Sequence, residues 1–109
     1  PLEKLEKINL RNAGKLSAEG VAQVAQLTHL TSLNLSNCKL KDSDLPPLRQ
    51  LKKLDGLNLS ETGVTLAGWR ELKELPLKSC GFSNPSGQFA EWCREIASLF
   101  PTIKNHYAW

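Results

Sequence analysis

The 109-residue sequence has no apolar run approaching the ~18 residues that a membrane-spanning helix needs. No basic-then-apolar leader opens it either, so membrane-embedded classes are set aside. Pro1 stands where an initiator methionine would, and the expectation is a removed methionine or a piece trimmed from a longer chain. Cysteine is scarce. Cys38, Cys80 and Cys93 form an odd set without paired spacing, which argues against the disulfide framework of a small secreted domain and for reduced, buried thiols. Histidine is scarcer: His29 and His106 read as surface residues, and neither lies beside a thiol in sequence, so no Cys–His nucleophile pair suggests itself. Also missing are a glycine-rich phosphate loop, an H-E-x-x-H helix and a paired-carboxylate signature. Asp42 and Asp44 fit turn and cap roles better than metal ligation. The chain is expected to be no enzyme and to hold no metal or cofactor. Charge of one sign is lacking too. With 14 basic and 11 acidic residues spread along the chain, the net +3 gives no argument for nucleic acid.

What the sequence does have is a phrase repeated within one domain, 1–109. From Leu5 it reads LEKINLRNAGKL, from Leu30 LTSLNLSNCKL, from Leu54 LDGLNLSETGV and from Leu72 LKELPLKSCGF. All four fit L-x-x-L-x-L-x-x-(N/C/T)-x-(L/V/F), most loosely at Ala13, with starts 25, 24 and 18 residues apart. In the x-L-x-L-x centre, side chains alternate between faces, so Leu57 and Leu59 enter a core while Gly56, Asn58 and Ser60 face out. One such unit cannot bury its leucines, whereas stacked units bury each other's. The ninth slot, with Cys38 and Cys80 and then Thr62 and Ala13, takes a small side chain where the chain turns inward. Cys38 and Cys80, two units apart at ~4.8 Å per strand, are beyond disulfide reach.

The pattern resembles the leucine-rich repeat, with its period of about 20–29 residues and Asn or Cys at slot nine. The resemblance implies an α/β fold: a short right-handed solenoid with a parallel, concave sheet, of the ribonuclease-inhibitor-like or bacterial type. The economical units look like those of small bacterial leucine-rich-repeat effectors. Such an origin implies a cytoplasmic protein, delivered into the host cytosol if it is an effector.

Between the strands, SAEGVAQVAQL from Ser17 predicts a capped helix with Val21, Val24 and Leu27 in a stripe. DSDLPPLRQL from Asp42 predicts tight turns with Leu45, Leu48 and Leu51 inward. TLAGWREL from Thr65 predicts a short turn burying Leu66, Trp69 and Leu72. After the breaker SNPSG, QFAEWCREIASLF places Phe89, Trp92, Cys93, Ile96 and Leu99 or Phe100 on one helical face, predicting a C-terminal cap within 86–109. FPTIKNHYAW then begins like a fifth strand, but Asn105 stands where leucine is required, so it reads as a failed repeat or a tail.

Function is expected on the outward face of the sheet. The predicted columns are Lys7, Ser32, Gly56 and Glu74; then Asn9, Asn34, Asn58 and Pro76; then Arg11, Ser36, Ser60 and Lys78. Short polar side chains let another backbone approach, whereas a merely solvated strand face favours long charged ones. Four strands expose about a dozen residues against the roughly 20–30 of a stable interface, so the strand-exit loops or the tail should contribute. Tyr107 and Trp109 are natural anchors there, unless Trp109 folds back onto the cap. The resemblance implies a non-catalytic module that binds a partner protein and regulates or inhibits it, the partner being an enzyme in some relatives. Two alternatives stay open: the recognition fragment of a larger enzyme such as a bacterial ubiquitin ligase, and a stacking module that oligomerises. The capped end favours a monomer.

Overall fold

The strands of the sheet are only three or four residues long. The computed structural model describes residues 5–12, 16, 18–83, 88–103 and 105–108, without the side chains of Phe89 and residues 105–108. Strands β1 (Lys7–Asn9), β2 (Ser32–Asn34), β3 (Gly56–Asn58), β4 (Ser79–Phe82) and β5 (Asn105–Ala108) form one sheet in chain order. All four pairings are parallel. Parallel neighbours require the chain to travel back between strands. It does so through α1 (Ala18–Val24), two 3-10 turns (Asp42–Asp44 and Pro46–Gln50), α2 (Leu66–Arg70) and α3 (Phe89–Leu99).

A hydrogen-bond pattern at the strand entrances fixes the register. The amides of Thr31 and Ser32 both donate to the Glu6 carbonyl, at 2.7 and 3.0 Å. Asp55 and Gly56 repeat this on Thr31, and Lys78 and Ser79 repeat it on Asp55, all between 2.7 and 3.0 Å. Glu6, Thr31, Asp55 and Lys78 are therefore equivalent. Strand partners confirm it: Lys7, Ser32, Gly56, Ser79 and Asn105 lie in one row.

This corrects the fourth unit. It opens at Leu77 rather than Leu72, and row spacings become 25, 24, 23 and 26 residues in place of the anomalous 18. The segment from Leu72 mimics the phrase but cannot serve as the strand, because Pro76 has no N–H to give the sheet. Leu72, Leu75 and Leu77 are buried all the same, the first two in the turn that follows α2. Cys80 moves with the register. It occupies a leucine slot opposite Leu57, fully buried, and burial pushes its thiol up to about 12. Cys38 keeps the ninth slot, its Sγ 3.2 Å from the Leu10 carbonyl oxygen and 3.6 Å from that of Ser36.

The core lies between the sheet and the return segments. Leu33, Leu35, Leu57 and Leu59 from the strands meet Val21, Leu45, Leu48, Leu51, Trp69 and Leu72 from the returns. Leu66, Val24 and Leu27 are only half-buried at its edge. Neighbouring returns are also pinned together. Asp42 accepts from the Thr65 amide at 2.7 Å and from its hydroxyl, while Thr65 caps α2 through the Ala67 amide. The predicted helix cap Ser17 and slot residue Ala13 lie outside the described residues.

Beyond β4 the packing turns aromatic. Trp92 stacks on Phe82 with ring centroids 5.7 Å apart, and Phe100 meets Trp69 edge-on at 6.1 Å. Trp92, Ile96 and Phe100 are buried and Cys93 and Leu99 half-buried, the face that the sequence predicts. Phe89 lies outside the described side chains. The predicted cap helix is the return between β4 and β5, and the sheet continues one strand past it. The segment read as a failed repeat or tail is thus a strand in register.

Leu57 is 2% exposed, between Leu33 of β2 and Cys80 of β4. Leu57→Ala is expected to lower unfolding free energy by about 2–5 kcal/mol, the range for a core leucine truncation. Urea denaturation followed by circular dichroism checks it.

Candidate functional site

The outward positions of β1 to β3 carry Asn9, Asn34 and Asn58 side by side in one row. Each uses its carboxamide oxygen to end its own strand. Asn9 Oδ1 accepts from the Arg11 amide at 2.9 Å, Asn34 Oδ1 from the Ser36 amide at 2.9 Å, and Asn58 Oδ1 from the Ser60 amide at 2.9 Å. This is a turn in which the side chain imitates a backbone carbonyl. In units two and three the serine hydroxyl adds a second donor, Ser36 Oγ to Asn34 Oδ1 at 2.7 Å and Ser60 Oγ to Asn58 Oδ1. Because donors converge on these atoms, the orientation of each amide follows from its network. Three residues further, Asn12, Asn37 and Glu61 adopt left-handed backbone, with φ of 66°, 55° and 55°. Asn37 Nδ2 donates to Asn12 Oδ1 at 2.6 Å, tying the first two exit loops.

The row ends at β4 because Gly81 has no side chain. Asn58 leans across it: a Cβ built on Gly81 would lie 2.6 Å from Asn58 Cγ. Beside it, Ser32, Gly56 and Ser79 form a second row of small residues. Two hollows meet over this face. One of about 480 Å³ is lined by Arg11, Asn34, Ser36, Asn58 and Glu61. The other, about 210 Å³, lies over Ser32, Gly56, Ser79 and Gly81 and shares Asn34 and Asn58.

Several predicted site residues land here and several do not. Lys7, Asn9 and Arg11 are exposed, and Ser32, Asn34 and Asn58 half-buried, on the outward face. Ser36 and Ser60, predicted to face out, are buried at 5% and 0% exposure, their hydroxyls spent on the asparagines. Glu74, Pro76 and Lys78 leave the columns with the register correction, and Ser79, Gly81 and Ser83 stand in their place. Glu74 lines a different hollow, with Arg49, Arg70 and Glu71 of the return segments. Lys78 is exposed at the entrance to β4. Tyr107 is in β5 but its side chain is outside the described ones, and Trp109 lies outside the described residues. The signal that finds Ser79 and Gly81 is the 23-residue step from Leu54 to Leu77.

Elsewhere the chemistry is sparse. His29 is exposed, its Nδ1 3.5 Å from Lys53 Nζ. Burial raises the Cys93 thiol above its ordinary value. Among the described residues no three His, Cys, Asp or Glu side chains come together as metal ligands, and no helix is long and apolar enough to cross a membrane.

Comparison with known proteins agrees with this geometry. Residues 29–51 match the sequence profile described as Leucine Rich Repeat. The chain is similar to tubulin-specific chaperone E of Drosophila melanogaster, 29% identical over 93 residues, covering 74% of this chain and 18% of that protein. Among solved structures, a chain of the Chaetomium Mex67:Mtr2 subunits superposes with TM-score 0.71 at 15% identity, covering 92% of this chain and 78% of that one. The tropomodulin C-terminal domain of Caenorhabditis elegans gives 0.66 at 14% identity, covering 98% and 75%. These two likenesses concern the fold alone. With the repeating register, the findings support a leucine-rich-repeat protein.

Two substitutions separate the atoms of this site. Asn58→Ala removes both bonds at the end of β3 and is expected to cost about 1–2 kcal/mol, whereas Asn58→Asp keeps the accepting oxygen and most of the stability. Paired denaturation curves distinguish them. Glu61 holds a left-handed conformation that asparagine tolerates better. Glu61→Asn is expected to stabilise the fold by about 0.5–1 kcal/mol, read as a rise in Tm of about 2–5 °C.

Proposed function

We propose that this chain is a non-catalytic protein-binding module, a right-handed leucine-rich-repeat solenoid that takes its partner on the open, concave face of the sheet. The observation that carries the reading is the double hollow over Asn34 and Asn58, floored by small residues and flanked by Arg11 and Glu61. Stacked repeats present extended surfaces of this kind to partner proteins. Small side chains at its centre let a partner's backbone come close. The exit loops around Asn12, Asn37 and Glu61 widen a surface that the strands alone leave too small. The relative named as a tubulin-specific chaperone is, by that name, a protein that works on another protein, which fits the same class.

A second reading makes the chain the recognition segment of a longer protein, since it covers 18% of that relative's length. Both readings use the same face, and neither depends on a subtype of the repeat.

Lys7 and Arg11 are exposed and form no ion pair among the described residues. Reversing both to glutamate is expected to leave stability within about 0.5 kcal/mol, as for surface positions generally, while weakening partner capture about tenfold or more. A quantitative pull-down beside a melting curve measures this, with Glu71→Lys on the return side as the control that retains capture. Undiminished capture by the Lys7/Arg11 variant moves the interface off this face.

A further inference from the structure

We infer that the open face binds an acidic segment of its partner protein, laid across the strands with its carboxylates over Asn34 and Asn58 and its most acidic end over Arg11. The inference rests on the binding-face reading above and adds the chemistry of the occupant.

Hydrogen-bond accounting is the first support. A carboxamide offers one accepting oxygen and two donating hydrogens. Asn9, Asn34 and Asn58 have each turned the oxygen toward their own exit turn, where it meets one or two donors. Among the described residues no acceptor engages the three Nδ2 groups, so the part of each amide left for a visitor donates. The row is thus a set of N–H groups at the ~4.8 Å spacing of neighbouring strands, spanning ~10 Å over three of them. The hydroxyls of Ser36 and Ser60 are spent as donors to Asn34 and Asn58 Oδ1, at 5% and 0% exposure. A visitor must supply acceptors, or the donors are desolvated unpaired at about 1–3 kcal/mol each.

Charge is the second support. Lys7 and Arg11 stand on β1 and its exit, exposed on either side of Asn9 and without an ion-pair partner among the described residues. Their charge and the amide donors favour the same ligand group. An arginine fork matches a carboxylate with two parallel bonds. Glu61, two strands away on the same hollow, carries the opposite sign. It repels an acidic residue there, which gives the segment a direction: its negative end belongs over unit one.

The test uses the whole 109-residue chain, labelled with nitrogen-15, titrated with end-blocked hexaglutamate. The side-chain amide resonances of Asn9, Asn34 and Asn58 are expected to move together and saturate, with an effect that weakens as salt is raised. End-blocked hexalysine should leave them in place. Asn34→Asp with Asn58→Asp keeps the accepting oxygens and most of the stability while adding negative charge to the face. It should weaken hexaglutamate about tenfold with the chain still folded by its melting curve, since like charges oppose each other across a contact. Glu61→Lys should tighten it. Amides that move equally with hexalysine, or a hexaglutamate affinity indifferent to the Asn→Asp pair, overturn the inference. Tighter binding of hexathymidylate at the same amides overturns it in favour of a phosphate ligand. Each of these outcomes is separate from the fate of the broader reading, which the partner capture of the Lys7/Arg11 variant decides.

Discussion

Leucines that cannot be buried by their own unit are the constraint on which this structure depends. A strand of three residues, such as Gly56–Asn58, has one inward side chain and almost no surface of its own to hide it. Leu57 reaches 2% exposure because Leu33 lies on one side and Cys80 on the other. The strands can be short because the layers above and below complete the burial. The same logic frees the return segments from any one shape. An α-helix, a pair of 3-10 turns, a five-residue helix and an eleven-residue helix all serve, provided each delivers apolar side chains to its layer. Towards the later strands the delivered residues grow, from Leu45, Leu48 and Leu51 to Trp69, then to Trp92, Ile96 and Phe100. Aromatic contacts there take over what leucine does earlier.

Much of this was legible in the residues. The phrase at Leu30 and Leu54 predicts where β2 and β3 begin, though both end two residues sooner than x-L-x-L-x implies, and its outward asparagines predict the central row. The returns were legible as inward stripes even where their helical type was not. The fourth unit was misplaced because composition imitates the phrase twice. LKELPL has the leucines but a proline in the strand, while LKSCGF has the strand with Cys80 and Phe82 in leucine slots. Spacing discriminates where residue identity does not: a step of 23 belongs with 25 and 24, and 18 does not. The fifth strand was obscured by register: Asn105 falls in the outward row with Ser79 rather than where leucine is required, and it is His106, opposite Cys80, that takes the leucine position. Burial of Ser36 and Ser60 could not be read at all, since alternation predicts them outward. Only the side-chain turns of Asn34 and Asn58 show why they sink.

Under the proposed binding, those asparagines join architecture to recognition in one functional group. The oxygen ends the strand, and no acceptor among the described residues engages the nitrogen. A variant that damages the oxygen perturbs folding, and one that changes the nitrogen alone alters what the face can hold. On that proposal, stability and specificity are separable at the level of single atoms. Gly81 marks where the arrangement stops, because the last asparagine already occupies the space a fourth would need.

The two deeply buried thiols have a consequence for how such a molecule comes apart. Cys38 belongs to the second layer and Cys80 to the fourth, and each is sealed by its neighbours. An alkylating reagent reaches either sulfur only when the surrounding layer opens. Unequal modification rates at the two sites would mean that the structure frays from one terminus, and equal rates that it dissolves in one cooperative event. The native sequence thus carries a reporter near each end of the stack, with no probe to be introduced.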